Sequence, residues 1–219
     1  VGLAVAISPG YSTIIWPASG LAVAAVIFFP KFAPFGVFLG SFLVNMGATW
    51  FNHASFALLL PSLIAIGSTL QSCVGAYLVH RYIGTSFRFH NIRLVSRFVL
   101  LVAVLSTTIG ATVGSVSLLY IGLLDQSGFL ANWLIWWGGD MIGVLVMVPF
   151  LAICFPRYFG NHFEHPFRLL GGFLFVLVLT FVLSLGASYS EWNKQSKEFR
   201  SNAELLGVLL NNRIKSTVD

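Results

Sequence analysis

Asp140 is the acidic residue of this 219-residue chain that lies inside a long apolar run, which makes it the leading candidate for chemistry. It ends the segment Trp-Trp-Gly-Gly-Asp at 136–140. A charged residue at the centre of a membrane-spanning helix costs at least about 2.5–3.5 kcal/mol, and such residues usually have a function. We interpret Asp140 as the polar floor of a ligand or ion pocket walled by Trp136 and Trp137. The alternative is a carboxylate that bonds a neighbouring helix and only locks the bundle.

A second candidate is the segment Trp-Pro-Ala-Ser-Gly at 16–20. Proline and glycine near the end of a span free backbone groups that lipid cannot satisfy. A broken helix end of this kind can bind a polar ligand through its amides, so Trp16 and Pro17 join the predicted pocket. In the alternative interpretation, Trp16 is an interfacial anchor and Pro17 is the first residue of an ordinary helix.

Neutral polar residues in two further apolar runs complete the predicted pocket. Asn45 and Gln71 would each be buried in a span, where interhelical hydrogen bonds contribute about 0.6–2 kcal/mol. Structural linkage between helices is therefore the alternative role for both. The seven pocket candidates are Trp16, Pro17, Asn45, Gln71, Trp136, Trp137 and Asp140.

Small residues spaced four apart predict where helices approach each other closely. The predicted packing glycines are Gly20, Gly36, Gly40, Gly110, Gly114, Gly139 and Gly143. Patterns for catalysis are missing from the sequence: it has no nucleophile elbow, phosphate-binding glycine loop or Cys-x-x-Cys motif. No two histidines have the i, i+4 spacing of a helical metal site. We expect no catalytic residue, no metal and no cofactor.

The composition indicates which elements must position these residues. Hydrophobic residues make up 57% of the chain and charged residues 9%, whereas soluble domains carry about 25% charged residues. The net charge of +5 comes from basic residues between apolar runs, which predicts membrane orientation and no nucleic-acid binding. We therefore expect an all-α fold, a polytopic transmembrane bundle whose surroundings are the lipid bilayer.

Seven apolar runs predict spans of about 30 Å of hydrocarbon, with the first truncated and the next two short. They cover 1–7, 14–29, 35–49, 56–79, 98–121, 133–155 and 169–189. Basic residues follow alternate runs, at Lys31, in 81–97 and in 157–168, which predicts that these loops are cytoplasmic.

Residues 1–190 thus form the expected membrane domain, and the chain changes character after it. Charged and apolar residues alternate through 191–219 with the spacing of an amphipathic helix. We predict that this helix lies outside the cytoplasm and leads into an extracytoplasmic domain that this piece lacks. A solvated tail is the alternative.

The order and spacing of these segments resemble the type-one membrane-associated sensor domain of bacterial signalling proteins. The shared markers are Trp16-Pro17-x-x-Gly20, Gly40 with Asn45, Ile66-Gly67-x-Thr69-Leu70, and Trp136-Trp137-x-Gly139-Asp140-x-x-Gly143 leading to Pro149. The family pattern has Asn and Glu where this chain has Ser68 and Gln71, so a second intramembrane carboxylate is missing. The tail resembles the first helix of a CHASE-type extracytoplasmic domain.

The resemblance implies a non-enzymatic input domain in the bacterial inner membrane, within a homodimeric receptor. It would respond to a small ligand or a partner membrane protein and relay the stimulus by helix repacking. The output module, a cyclic-di-GMP enzyme or a histidine kinase, would follow an eighth span. Two other classes stay open: a small-solute transporter or its substrate-binding membrane subunit, and a structural anchor that dimerises.

Overall fold

The computed structural model of the chain describes residues 16–51, 58–84, 92–155 and 178, and none of them forms a β-strand. Two short helices are followed by three long ones. The elements are α1 (Pro17–Phe28), α2 (Ala33–Phe51), α3 (Leu59–Tyr82), α4 (Ile92–Arg97), a π-helical segment (Phe98–Ser106), α5 (Thr107–Ile121) and α6 (Phe129–Cys154). The segments from Ile92 to Ile121 form one continuous helix. The predicted all-α class is confirmed.

Three helices of the described residues are long and apolar enough to cross a membrane, namely Leu59–Tyr82, Ile92–Ile121 and Gln126–Cys154. Helix α1 and Ala33–Thr49 are shorter apolar helices, as the short second and third runs predicted. The predicted span at 1–7 and the domain boundary at 190 lie outside the described residues, as does the predicted span at 169–189 except for residue 178. The count of seven spans therefore stays a prediction.

Two of the long helices begin earlier than the apolar runs that predicted them. The run at 98 marks the entrance into hydrocarbon, but the helix starts at Ile92 and includes Arg93 and Arg97. Likewise, α6 begins at Phe129 and not at 133. Helical hydrogen bonding continues into the interface, where long basic side chains reach water, so hydropathy alone places these ends too late.

One end of the bundle, here named the basic end, carries the basic residues. His80 Nε2 donates to the carbonyl oxygen of Ile27 at 3.1 Å, which joins the ends of α3 and α1. Arg97 donates to the carbonyl oxygen of Tyr82 at 3.2 Å, which brings α4 to the same end. The four Lys and Arg residues within the described ranges, Lys31, Arg81, Arg93 and Arg97, all lie there. That the basic end faces the cytoplasm stays a prediction.

The core nearest the basic end is built from branched apolar side chains of α1, α3, the π-helical segment and α6. Five of them are 0% exposed: Val23, Val79, Val102, Val144 and Val148. A smaller cluster at the opposite end joins α2, α3 and α5 through Ala48, Leu60, Ile64 and Leu118. In a bilayer, close packing of this kind replaces water exclusion as the main cause of helix association.

Helix α1 crosses α6 at a very short distance, because glycines face each other there. A Cβ atom on Gly20 would collide with the backbone of Gly143 and would lie 2.7 Å from Cβ of Met147. A Cβ atom on Gly143 would collide with the Trp16 carbonyl group and would lie 2.6 Å from Oγ of Ser19. The two backbones can therefore touch only while both positions lack side chains.

This contact is secured by two hydrogen bonds at the start of α1. The Trp16 N–H donates to the carbonyl oxygen of Gly139 at 3.1 Å, and the Ser19 hydroxyl donates to the main-chain carbonyl oxygen of Asp140 at 3.0 Å. Asp140 lies about 17 Å along α6 from its first residue, at 1.5 Å per residue. Helix α1 thus begins beside the middle of α6.

Gly143→Ala is expected to lower the free energy of unfolding by about 1–3 kcal/mol, since overpacking at this crossing must displace backbone. Gly47→Ala in α2 is the matched control, because a Cβ atom there meets no described atom within 4 Å. Alanine in an open helix position gains up to about 1 kcal/mol over glycine. Thermal unfolding of the purified chain in detergent measures both, and equal effects would contradict the crossing.

Candidate ligand site between the helices

A cavity of about 430 Å³ lies between α1, α2 and α3, and it extends to Trp136 and Asp140 of α6. Small-molecule sites usually have volumes of about 300–1,000 Å³. The space exists because α2 packs mainly on α3 and little on α1. Small residues on the facing sides enlarge it, including Ala18, Ala22, Ala25, Gly36 and Gly40.

The polar groups of the cavity come mostly from one face each of α2 and α3. Asn45 is buried and donates to the Ser41 carbonyl oxygen at 2.8 Å. The Ser41 hydroxyl donates to the Ser68 hydroxyl at 3.2 Å, which links α2 to α3. Ser72 donates back to the Ser68 carbonyl oxygen at 2.8 Å. These groups therefore form a polar strip opposite the small residues of α1.

Asp140 supplies the unsatisfied acceptor of the site. Its side chain lines the cavity and is 4% exposed, yet its Oδ1 atom accepts no hydrogen bond from any described residue. The Gln71 amide and the Ser19 hydroxyl lie beside the carboxyl group. An unpaired buried acceptor costs about 1–3 kcal/mol. A molecule in the cavity that donates a hydrogen bond to Oδ1 would remove that cost.

Gln71 links α3, at the floor of the cavity, to α5. Its Oε1 atom accepts a hydrogen bond from the Gly110 N–H at 3.1 Å. A Cβ atom on Gly110 would collide with Oε1 of Gln71 and would lie 3.2 Å from Oδ2 of Asp140. The missing side chain at Gly110 thus makes room for the amide and the carboxyl group together.

The N-terminus of α1 adds a favourable electrostatic field at the cavity floor. Trp16 is the N-cap residue of α1, and Pro17 is at its start, where a missing N–H costs nothing. The N-terminus of a helix carries a partial positive charge, which favours negative or hydrogen-bond-accepting groups within one turn. Ser19 lies in that first turn and contacts Asp140. Helix α1 therefore stabilises an acceptor at the cavity floor.

The structure brings five of the seven predicted pocket residues to the cavity: Trp16, Asn45, Gln71, Trp136 and Asp140. Pro17 is not among the lining residues, since it serves as the helix start. Trp137 is not among them either. It stacks on Trp133 with ring centroids 5.6 Å apart and donates to the Val104 carbonyl oxygen at 3.0 Å. No ligand role is tested for any of the seven, so the pocket itself stays a prediction.

The predicted packing glycines occupy different environments. Gly20 and Gly143 form the crossing described above, and the Gly139 carbonyl group accepts the Trp16 N–H there. The six-membered ring of Trp136 lies against Gly114, where a Cβ atom would be 2.7 Å from Cζ2. Gly36 and Gly40 line the cavity, and among the described residues no atom lies within 4 Å of a Cβ atom built on either.

Four serines of the cavity, Ser19, Ser41, Ser68 and Ser72, were not among the predicted pocket residues. A signal for two of them exists in the sequence. Ser41 precedes Asn45 by four residues and Ser68 precedes Gln71 by three, so each shares a helix face with a predicted residue, whereas Ser72 directly follows Gln71 and does not. Within the described ranges, no three His, Cys, Asp or Glu side chains gather in a way that would hold a metal ion.

Gln71→Leu is expected to lower the free energy of unfolding by about 0.6–2 kcal/mol, because it removes the bond between α3 and α5. Thr69→Val is the control on the same helix, since the Thr69 hydroxyl donates only to Ala65 of its own helix. Tryptophan fluorescence during denaturation by SDS measures both variants. If Thr69→Val destabilises the chain as much as Gln71→Leu, the bond to Gly110 contributes nothing.

The sequence was compared with protein families, curated proteins and solved structures. It matches the MASE1 family over residues 1–199, which is most of the chain. No curated protein and no solved structure matches it. MASE1 domains are membrane-embedded, non-catalytic sensory domains of signalling proteins. The resemblance to the membrane-associated sensor domain is therefore confirmed, whereas the CHASE-type tail stays a prediction, and the chain belongs to the MASE1 family of membrane sensory domains.

Proposed function

We propose that this chain is the input domain of a receptor in the bacterial inner membrane, and that a ligand in the cavity beside Asp140 is its stimulus. The observation that supports the proposal is the Oδ1 atom of Asp140, an unpaired buried acceptor at the floor of a cavity of about 430 Å³. Intramembrane carboxyl groups are rare and mark functional sites by default. The family of the chain supports the sensory role.

The signal in this proposal is a change in helix packing. Helix α2 contacts α1 little, whereas α1 packs closely on α6. A ligand that touches both α1 and α2 stabilises the arrangement in which its contacts are best made. It shifts the equilibrium between two packings only by the difference in its affinity for them. The polar strip of α2 and α3 provides contacts that depend on the position of α2.

The output of the receptor is the second part of the proposal. A cytoplasmic cyclic-di-GMP enzyme or histidine kinase would follow the membrane domain, and two copies of the receptor would form a homodimer. Residues 191–219 would form the amphipathic first helix of a CHASE-like extracytoplasmic domain. These statements rest on the family resemblance and on the charge pattern of the sequence.

Asp140→Asn in the full-length receptor tests the site. Asparagine keeps the shape but replaces one acceptor oxygen with a donor, so we expect receptor output to change about fivefold, which corresponds to roughly 1 kcal/mol. Asp125→Asn is the matched control, because Asp125 is the other acidic residue within the described ranges and is exposed. The measurements are cellular cyclic-di-GMP or kinase autophosphorylation, each with the membrane level of the receptor.

Normal output and normal membrane level in Asp140→Asn would refute the site. A change of output in both variants would show that the effect belongs to acidic residues in general and not to the cavity.

Topology provides an independent test. A tag fused after Asp219 is expected outside the cytoplasm, since the predicted basic loops all lie on the other side. A membrane-impermeant reagent should therefore label the tag in intact spheroplasts. A tag that reacts only after lysis would refute both the orientation and the extracytoplasmic domain.

A further inference from the structure

We infer the chemical class of the ligand: an uncharged, membrane-dissolved molecule with an apolar body, an aromatic ring and one hydroxyl group that donates to Oδ1 of Asp140. An alkylphenol has this chemistry. The inference rests on the proposed sensory function and extends it from a site to a ligand class.

The depth of the site is the first reason. Asp140 lies near the middle of α6, about 17 Å from Phe129 at 1.5 Å per residue, which is close to half the length of a span. Charged head groups stay in the hydrated interface, because moving an ion to the bilayer centre is costly. A molecule that reaches Asp140 through the bilayer must therefore be neutral and mostly apolar.

The shape of the cavity provides a lateral route from the bilayer. Leu21 of α1 and Val44 of α2 both line the cavity and are 51% and 41% exposed. Gly40, also in the lining, is exposed as well. In the part of the chain that the structure describes, the cavity thus opens sideways between α1 and α2. Such an opening admits molecules that partition into lipid.

The lining matches an aromatic body with one polar end. Trp16 and Trp136 offer indole rings, and aromatic pairs gain about 0.5–1.5 kcal/mol beyond the area that they bury. Small residues such as Ala22 and Gly36 also line the cavity and leave room for an alkyl chain. The unpaired acceptor lies at the floor. A terminal hydroxyl group on the ligand would donate the hydrogen bond that Oδ1 of Asp140 lacks.

Photoaffinity labelling of the full chain in nanodiscs tests the inference. The probe is 4-octylphenol with a diazirine in its alkyl chain, and the control probe is octylbenzene with the same diazirine. We expect the phenol to label peptides from 18–25 and 36–45 at least tenfold more than octylbenzene does. Excess unmodified 4-octylphenol should compete. An octylammonium probe with the same diazirine should label these peptides no more than octylbenzene does.

Two variants localise the binding. Asp140→Leu removes the acceptor and should abolish the tenfold preference for the phenol. Gly40→Leu should abolish labelling by filling the cavity, and it displaces no described backbone, because a Cβ atom there meets no described atom within 4 Å. Val116→Leu on α5 is the control, since Val116 is 48% exposed and does not line the cavity. It should label like the unchanged chain.

Equal labelling by octylbenzene, or stronger labelling by octylammonium, would overturn the ligand class. The experiments distinguish a wrong ligand class from a wrong proposed function. If Asp140→Asn alters receptor output but the phenol shows no preference, the site stands and the ligand class is wrong. If the phenol labels as expected but Asp140→Asn leaves output normal, the cavity binds ligand without acting as the sensor.

Discussion

The contact between Gly20 and Gly143 is the constraint on which the described bundle depends. It lets the backbone of α1 touch α6, so that a helix of only 12 residues can begin beside the middle of a longer one. Hydrogen bonds from Trp16 and Ser19 to α6 are possible only at that distance. The wall of the cavity, the burial of Asp140 and the direction of the α1 dipole all follow from this contact.

The satisfied polar groups elsewhere make the unpaired oxygen of Asp140 informative. Helices α5 and α6 are joined by two side-chain hydrogen bonds: Asn132 donates to Ser115 at 2.9 Å inside the bundle, and Trp133 donates to Thr112 at 3.0 Å on its outer face. In the π-helical segment, the Val104 carbonyl oxygen accepts from Trp137. Lipid offers no partners, so the open Oδ1 atom of Asp140 differs from these satisfied groups of the described residues, and this difference is what supports the proposed site.

The sequence was a good guide to the helices and a partial guide to the site. Apolar runs predicted α1, α2, α3, α5 and α6 but not α4, which lies in a predicted loop. Asp140 was identified because a carboxyl group is costly in hydrocarbon. Residue type alone could not decide which of the two adjacent tryptophans, Trp136 or Trp137, lines the cavity. They lie about 100° apart around a helix, so that one reaches the cavity and the other faces the π-helical segment. That segment had no sequence signal, because its residues are ordinary apolar ones.

The space between α1 and α2 was also beyond sequence reasoning. Gly36 and Gly40 have the spacing of a tight helix contact, yet they line a cavity, since α2 packs mainly on α3 and little on α1. Spacing shows that a close approach is permitted, whereas the position of the neighbouring helix decides whether it occurs.

The bond between His80 and Ile27 gives α1 a second role. A helix is stiff along its axis, and α1 is about 18 Å long at 1.5 Å per residue. One end lies at the cavity floor, and the other is hydrogen-bonded to α3 near the arginines of the basic end. Any tilt or slide of α1 at the floor must therefore strain or break the imidazole contact. The short helix thus connects the cavity floor with the basic end of the bundle.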